Sequence, residues 1–209
     1  MHDHIKLDRQ YDMAIFCGDM SNSFDLAKSE VECRRFLDWY NEAPFKYKLL
    51  IPGNHDRAIE HKWVHPDEYK ELTWFFNETK IIDDLKIFGS PYTPVYGKCG
   101  AYMYNRKDAH KYWHCIEEGT DIVITHGPPL GILDLADHNQ DRSLIAQVGC
   151  RTLYKTIDKI RPKLHCFGHI HSTDRFNNRG IYSNDNTAFI NAACFNHTKN
   201  VFYQGISIN

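Results

Sequence analysis

Residues 48–56, Lys48-Leu49-Leu50-Ile51-Pro52-Gly53-Asn54-His55-Asp56, decide the fold: a short apolar run stops at Pro-Gly and hands over at once to polar side chains. A run of this length bounded by turn residues reads as a strand buried on both faces. The same grammar recurs on either side. Asp12 to Cys17 (DMAIFC) runs into Gly18-Asp19, Asp121 to Thr125 (DIVIT) into His126-Gly127-Pro128-Pro129, and Leu164 to Phe167 (LHCF) into Gly168-His169-Ile170-His171. Ile81 to Phe88 adds β-rich sequence around a turn.

Between these strands lie stretches of helical period. Phe24 to Tyr40 sets Leu26, Val31, Phe36, Leu37 and Tyr40 near one face; Asn105 to Glu118 offers an Asn N-cap and Gly119 as a stop; Ser143 to Ile160 ends before Pro162. The alternation predicts an α/β fold. In the tail, Ile181-Tyr182, Thr187 to Ile190 and Val201 to Ile208 predict antiparallel strands joined by Asn/Gly-rich turns. No repeat or Pro/Gly/Ser-rich linker divides the chain, so residues 1–209 are expected to form one domain.

Composition narrows the function. With 25 Lys+Arg against 27 Asp+Glu the formal charge is -2, which supplies no net pull toward nucleic acid or an anionic membrane. No apolar run approaches the ~20 residues of a membrane span, and Met1-His2-Asp3-His4 has no apolar signal region. Seven cysteines, odd in number and never spaced Cys-x-x-Cys, suit free thiols. The expectation is a cytoplasmic protein without a membrane partner.

Ligands in open α/β sheets bind outside the carboxyl ends of the strands. Here those ends deliver Asp19, Asn54, His126, His169 and His171: a carboxylate able to bridge two cations, an amide oxygen and neutral imidazoles. A nitrogen/oxygen set without thiolate suits Mn, Fe, Zn or Ni, and is unlike a Cys-rich structural zinc site. Glycines before Asp19, Asn54 and His169 allow tight turns that aim the ligands inward.

Taken together, the motifs resemble those of the calcineurin-like metallophosphoesterase superfamily: Asp-x-His, Gly-Asp, Gly-Asn-His-Asp/Glu, His and Gly-His-x-His. KIFGSPYTP (86–94), ITHGPPLGILD (124–134), Gly149-Cys150 and PKLHCFGHIH (162–171) are similar to its small MPPED-type branch. The resemblance implies two packed mixed β-sheets flanked by helices. It also implies two divalent metal ions, manganese first among them, with Asp19 bridging, Asn54, His126 and His169 completing the second site, and His171 on the first. His55 would stand beside the scissile phosphate as a general acid or charge stabiliser. The implied reaction is hydrolysis of a small phosphodiester or phosphomonoester, such as a nucleotide, by a hydroxide that the metals activate.

The sequence departs from the family at the first motif, because no Asp-x-His precedes Asp19. Three readings stand open: the first strand is missing from this chain; His2, Asp3 and His4 supply substitute ligands; or the first metal is absent and the protein is a one-metal enzyme or a binding and scaffold module.

Overall fold

The computed structural model describes residues 11–97, 100–138, 141, 143–195 and 204–208. The expectations for His2, Asp3, His4 and Val201 to Tyr203 lie outside them. Two sheets pack face to face with helices on both outer sides, as the fold class requires. The smaller holds β1 (Met13–Phe16), β2 (Tyr47–Leu50) and β3 (Thr73–Trp74), all parallel and in that order. The larger is mixed, in the order β12 (Gly180–Ser183), β13 (Ala188–Asn191), β11 (Leu164–Phe167), β8 (Ile122–Thr125), β5 (Leu85–Ser90) and β4 (Glu78–Ile82). Its inner strands run parallel, and β4 and β12 close it antiparallel. Every residue of β8 and β11 is buried, which explains their mostly apolar sequences, with Thr125 and His165 as the polar exceptions.

The layer between the sheets is built from Leu49, Ile51 and Phe75 on one side and Ile87, Ile124, Cys166 and Ile190 on the other. Outside the smaller sheet, α1 (Leu26–Glu42) buries Cys33, Phe36, Leu37 and Tyr40 against Leu50 and Trp74. Asp25 caps this helix by accepting from Lys28 N at 3.0 Å. A short α2 (Arg57–Glu60) packs beside it. Outside the larger sheet, α3 (His110–Trp113) and α4 (Arg151–Ile160) place Trp113, Leu153 and Ile157 over Val123, Phe167 and Phe189.

Two predicted helices are shorter than their periodicity suggested. Asn105 caps as expected, accepting from Lys107 N, but it opens only a 3-10 turn over Arg106–Asp108 before the single turn of α3. The stretch from Ser143 is not one helix. Ile145–Gln147 forms β10, antiparallel to β9 (Leu135–Asp137), and α4 starts only after Gly149. Gly149 accounts for the break: a Cβ there would come within 2.4 Å of Pro129 O, and its N–H donates to Asp134 at 2.9 Å. A second pair, β6 (Thr93–Pro94) and β7 (Met103–Tyr104), was not anticipated. In the tail, β12 and β13 pair antiparallel as predicted, while residues 204–208 are not strand.

His165 sits fully buried on β11. Thr125 Oγ1 donates to Gly127 O at 2.8 Å, so its 2.8 Å contact with His165 Nε2 requires the imidazole to donate. Burial pushes the ring down to about 3, and it is neutral in the fold. The unfolded chain takes up this proton near pH 6.5, so stability is fully present above that pH and falls as pH drops toward 3. Between pH 7.5 and 5.0 the loss from this group is expected to be about 2 kcal/mol. Denaturant midpoints at the two pH values check it: His165→Phe, which fits the aromatic surroundings of Phe167 and Phe189, should lose this portion of the pH dependence.

Candidate metal centre

The carboxyl ends of β1, β2, β8 and β11 meet at one point, bringing together Asp19, Asn54, His126 and His169 from residues far apart in sequence. Two of these residues need unusual backbone: Asp19 has φ 63° and His169 φ 64°, the left-handed region, and Gly18 before Asp19 has φ 95°. Gly53 is required by space. A Cβ at this position would fall 2.4 Å from both Asp19 N and Asp19 Oδ1, and 2.6 Å from the His126 ring. The glycine brings the β1 and β2 loops into contact.

Asp19, His126 and His169 each offer a ligand atom, and these lie within 4.8 Å of one another. His126 is fully buried, and its Nδ1 is 2.8 Å from Cys17 O. A carbonyl can only accept, so Nδ1 carries the proton and the Nε2 lone pair points the other way. That lone pair meets Asn54 Oδ1 at 2.8 Å and Asp19 Oδ2 at 3.4 Å. Three acceptor atoms converging in a buried place repel one another unless a cation lies among them. The donor set therefore fits a divalent metal, with nitrogen and oxygen ligands and no sulfur.

The charges agree. Burial acts to raise Asp19, but the charge and hydrogen bond of His126, with His55 and His169 adding to them, hold it well below the usual carboxylate range. Burial acts to lower His126, and Asp19 outweighs it, so that without a metal a proton on Nε2 joins the ring to the two oxygens, in the place a metal ion would take. His169 goes down to about 3 through burial and the neighbouring His126, which keeps one of its ring nitrogens unprotonated. The rings of His126 and His169 stand 4.7 Å apart at 55°.

One residue that shapes the centre carries no ligand atom. Asp56, fully buried, accepts from Gly53 N at 2.7 Å, Asp19 N at 3.0 Å and Met20 N at 3.3 Å through Oδ2, and from Ser21 N at 2.9 Å through Oδ1. It ties the Gly18–Ser21 loop to the Gly53 turn. Burial and the nearby Asp19 charge push its carboxyl up, against those backbone donors. The sequence signal was present, since an Asp closing a Gly-Asn-His-Asp turn commonly accepts from backbone N–H groups.

His55 is placed at the rim. Its backbone N donates to Asp19 Oδ1 at 2.9 Å. Its Nδ1 lies 3.0 Å from Asn22 O, which fixes Nδ1 as the donor and leaves Nε2 as the free atom. The ring lies against Phe24 at 4.1 Å, tilted by 30°, and Arg57 holds Phe24 through its carbonyl. Arg57 thus has a structural partner. His171 stands outside the three-residue group: its ring faces Phe195 at 6.3 Å, and its carbonyl accepts from Asn178 Nδ2 at 2.9 Å.

Comparison with known proteins bears on the family and the fold. The family model described as calcineurin-like phosphoesterase matches residues 1–173. UPF0046 protein K07C11.7 of Caenorhabditis elegans is 34% identical over 87% of this chain, which covers 62% of that protein. Metallophosphoesterase domain-containing protein 1 of Homo sapiens is 28% identical over 78% of the chain, covering 54% of its length. Among solved structures, TT1561 of Thermus thermophilus superposes with a TM-score of 0.51 at 9% identity, over 87% of this chain and 76% of that one, a likeness of fold. The chain spans about half to two thirds of these two curated relatives' lengths.

Proposed function

The chain belongs to the calcineurin-like phosphoesterase family, and from that membership we propose that it hydrolyses a small phosphate ester, mono- or diester, with residues 1–209 acting as one domain. The observation that supports this most is the convergence of His126 Nε2, Asn54 Oδ1 and Asp19 Oδ2 on one buried point. A divalent metal ion held by Asp19, Asn54, His126 and His169 would supply positive charge to the phosphoryl oxygens and acidify a water. Manganese is the ion we expect, with iron, zinc or nickel as alternatives. His171 would be the residue available to help hold a second ion.

The protein's own residues account for the rest. Cys17 O fixes the His126 tautomer, and Asp56 fixes the loop that presents Asp19. His55, with Nδ1 engaged, carries its labile proton at Nε2 when charged and delivers it to the departing oxygen. Phe24 holds the ring plane. A small soluble ester fits the formal charge of -2 better than a long polyanion, and no helix among the described residues is long and apolar enough to cross a membrane. We place the protein in the cytoplasm on its unpaired-cysteine pattern.

The test is hydrolysis of bis-p-nitrophenyl phosphate by metal-stripped protein reconstituted with Mn²⁺. Turnover should appear with the ion and fall about 10²-fold or more in His55→Ala with ion binding retained. Turnover indifferent to metal removal overturns the proposal. A second reading, a one-cation module that binds a phosphate ester without cleaving it, draws on Asp19, His126 and His169 being the one such ligand group among the described residues. Mn²⁺-dependent nucleotide binding without hydrolysis would establish that reading.

A further inference from the structure

Helix α1 reaches the rim of the centre through a carboxylate. Ser29, Glu32, Cys33 and Phe36 fall at i, i+3, i+4 and i+7, one face of the helix. Cys33 and Phe36 enter the core, whereas Ser29 and Glu32 meet polar atoms of the loop after β1 and of the Gly-Asn-His-Asp turn. Glu32 Oε2 accepts from Asn22 N at 2.6 Å and from Ser23 N at 3.0 Å. Both donors precede the cap of the helix, so the loop folds back along α1. The helix itself does not need these bonds, because Asp25 already caps it through Lys28 N.

The Ser23 N–H belongs to the peptide whose carbonyl is Asn22 O, and that carbonyl accepts from His55 Nδ1 at 3.0 Å. A trans peptide points its N–H and C=O in opposite directions, so one rigid plane stands between the carboxylate and the imidazole. The charged acceptor at the N–H end makes the stronger kind of bond and polarises the carbonyl at the other end, so each bond reinforces the next. We propose that Glu32 is a positioning residue for His55: acting through the Asn22–Ser23 peptide, its carboxylate holds the imidazole with the proton on Nδ1 and leaves Nε2 for the substrate. This is the logic of an acid that orients a catalytic imidazole, with a peptide plane between the two. The other contacts restrain the residue without choosing its tautomer. Phe24 lies against the ring at 4.1 Å, and Ser21 Oγ donates to the His55 carbonyl at 2.8 Å. Which nitrogen carries the proton is set by the bond at Nδ1.

The hold on His55 stands on these hydrogen bonds; its effect on turnover rests on the phosphoesterase reading above. Long-range ¹H–¹⁵N spectra of the metal-stripped whole chain, at a pH where the ring is neutral, read the first. His55 should show the Nδ1–H form in the unaltered chain and in Glu32→Gln, whose amide oxygen can still accept, and a mixture of tautomers in Glu32→Ala. Alanine suits this half-exposed helical position, so the fold should stand. An unchanged ring signature in Glu32→Ala overturns the proposal. Hydrolysis of bis-p-nitrophenyl phosphate with Mn²⁺ reads the second. Glu32→Ala should lower turnover about 10-fold at unchanged Mn²⁺ affinity, Glu32→Gln should recover most of it, and Glu32→Ala added to His55→Ala should cause no further fall. Equal losses with and without the His55 imidazole, or a matching loss of Mn²⁺ affinity, overturn the proposal, since Glu32 would then act elsewhere than on this ring. Absence of metal-dependent turnover in the unaltered chain overturns the phosphoesterase reading instead, and the spectra still decide whether Glu32 holds His55.

Discussion

His126→Ala is expected to abolish metal-dependent turnover and to weaken Mn²⁺ binding by more than the 10- to 100-fold that loss of an outer-shell partner typically costs. The imidazole does two things at once. Its Nε2 meets Asn54 Oδ1 and Asp19 Oδ2, and its Nδ1 bonds Cys17 O, joining β1 to the loop after β8. Removing it leaves two oxygen ligands facing each other with less to hold a cation, and a buried carbonyl without its donor. Metal content by mass spectrometry and hydrolysis of bis-p-nitrophenyl phosphate check this together. His126→Gln, whose amide can still donate to Cys17 O but has no imidazole nitrogen, separates the two roles: stability should largely return and turnover should not. Retained turnover in His126→Ala would remove the centre from the chemistry.

Asp56→Ala should destabilise the fold on the order of 4 kcal/mol or more, since it strands backbone N–H donors at Gly53, Asp19, Met20 and Ser21 at ~1 to 3 kcal/mol for each that water cannot reach. Asp56→Asn is the informative partner. Its amide oxygen can take the place of Oδ2, which serves Gly53, Asp19 and Met20, while its NH₂ would confront Ser21 N, so an intermediate loss is expected. Denaturant unfolding at pH 7.5 measures both. If Asp56→Ala unfolds like the unaltered chain, the loop after β1 is held by something other than this carboxylate.

The parts of this molecule that could be read in advance are those governed by short-range rules. The DMAIFC, KLLI, DIVIT and LHCF runs are too short for helices, end at glycine or polar residues, and fall on β1, β2, β8 and β11. Their common exit into metal-capable side chains placed Asp19, Asn54, His126 and His169 together, as the folded chain does. Where reading failed, tertiary contact decided. Leu144, Ile145 and Val148 fit a helical period, yet Ile145–Gln147 pairs with Leu135–Asp137, a strand with no signal of its own, and Gly149 is held against Pro129. Asp56 was passed over because it looks like a fourth turn residue; its value comes from donors 35 to 37 residues earlier, at Asp19, Met20 and Ser21. His171, which the resemblance assigns to the first metal, stands with its ring 6.3 Å from that of Phe195.

The Cys17–His126 bond joins residues 109 positions apart, and on either side of it stand the two sheets. The smaller sheet brings Asp19 and Asn54, and the larger brings His126 and His169, so the centre is complete only when both sheets are in place, and a sheet of parallel strands closes long loops and forms slowly. A metal ion would then find its ligands only in the finished fold, so that its binding free energy is added wholly to the folded state and the supply of the ion sets how much of the chain is folded. In a cell short of metal, the first consequence would be a shorter lifetime of the protein, through exposure of the seam between the sheets to proteases, before any effect on catalysis.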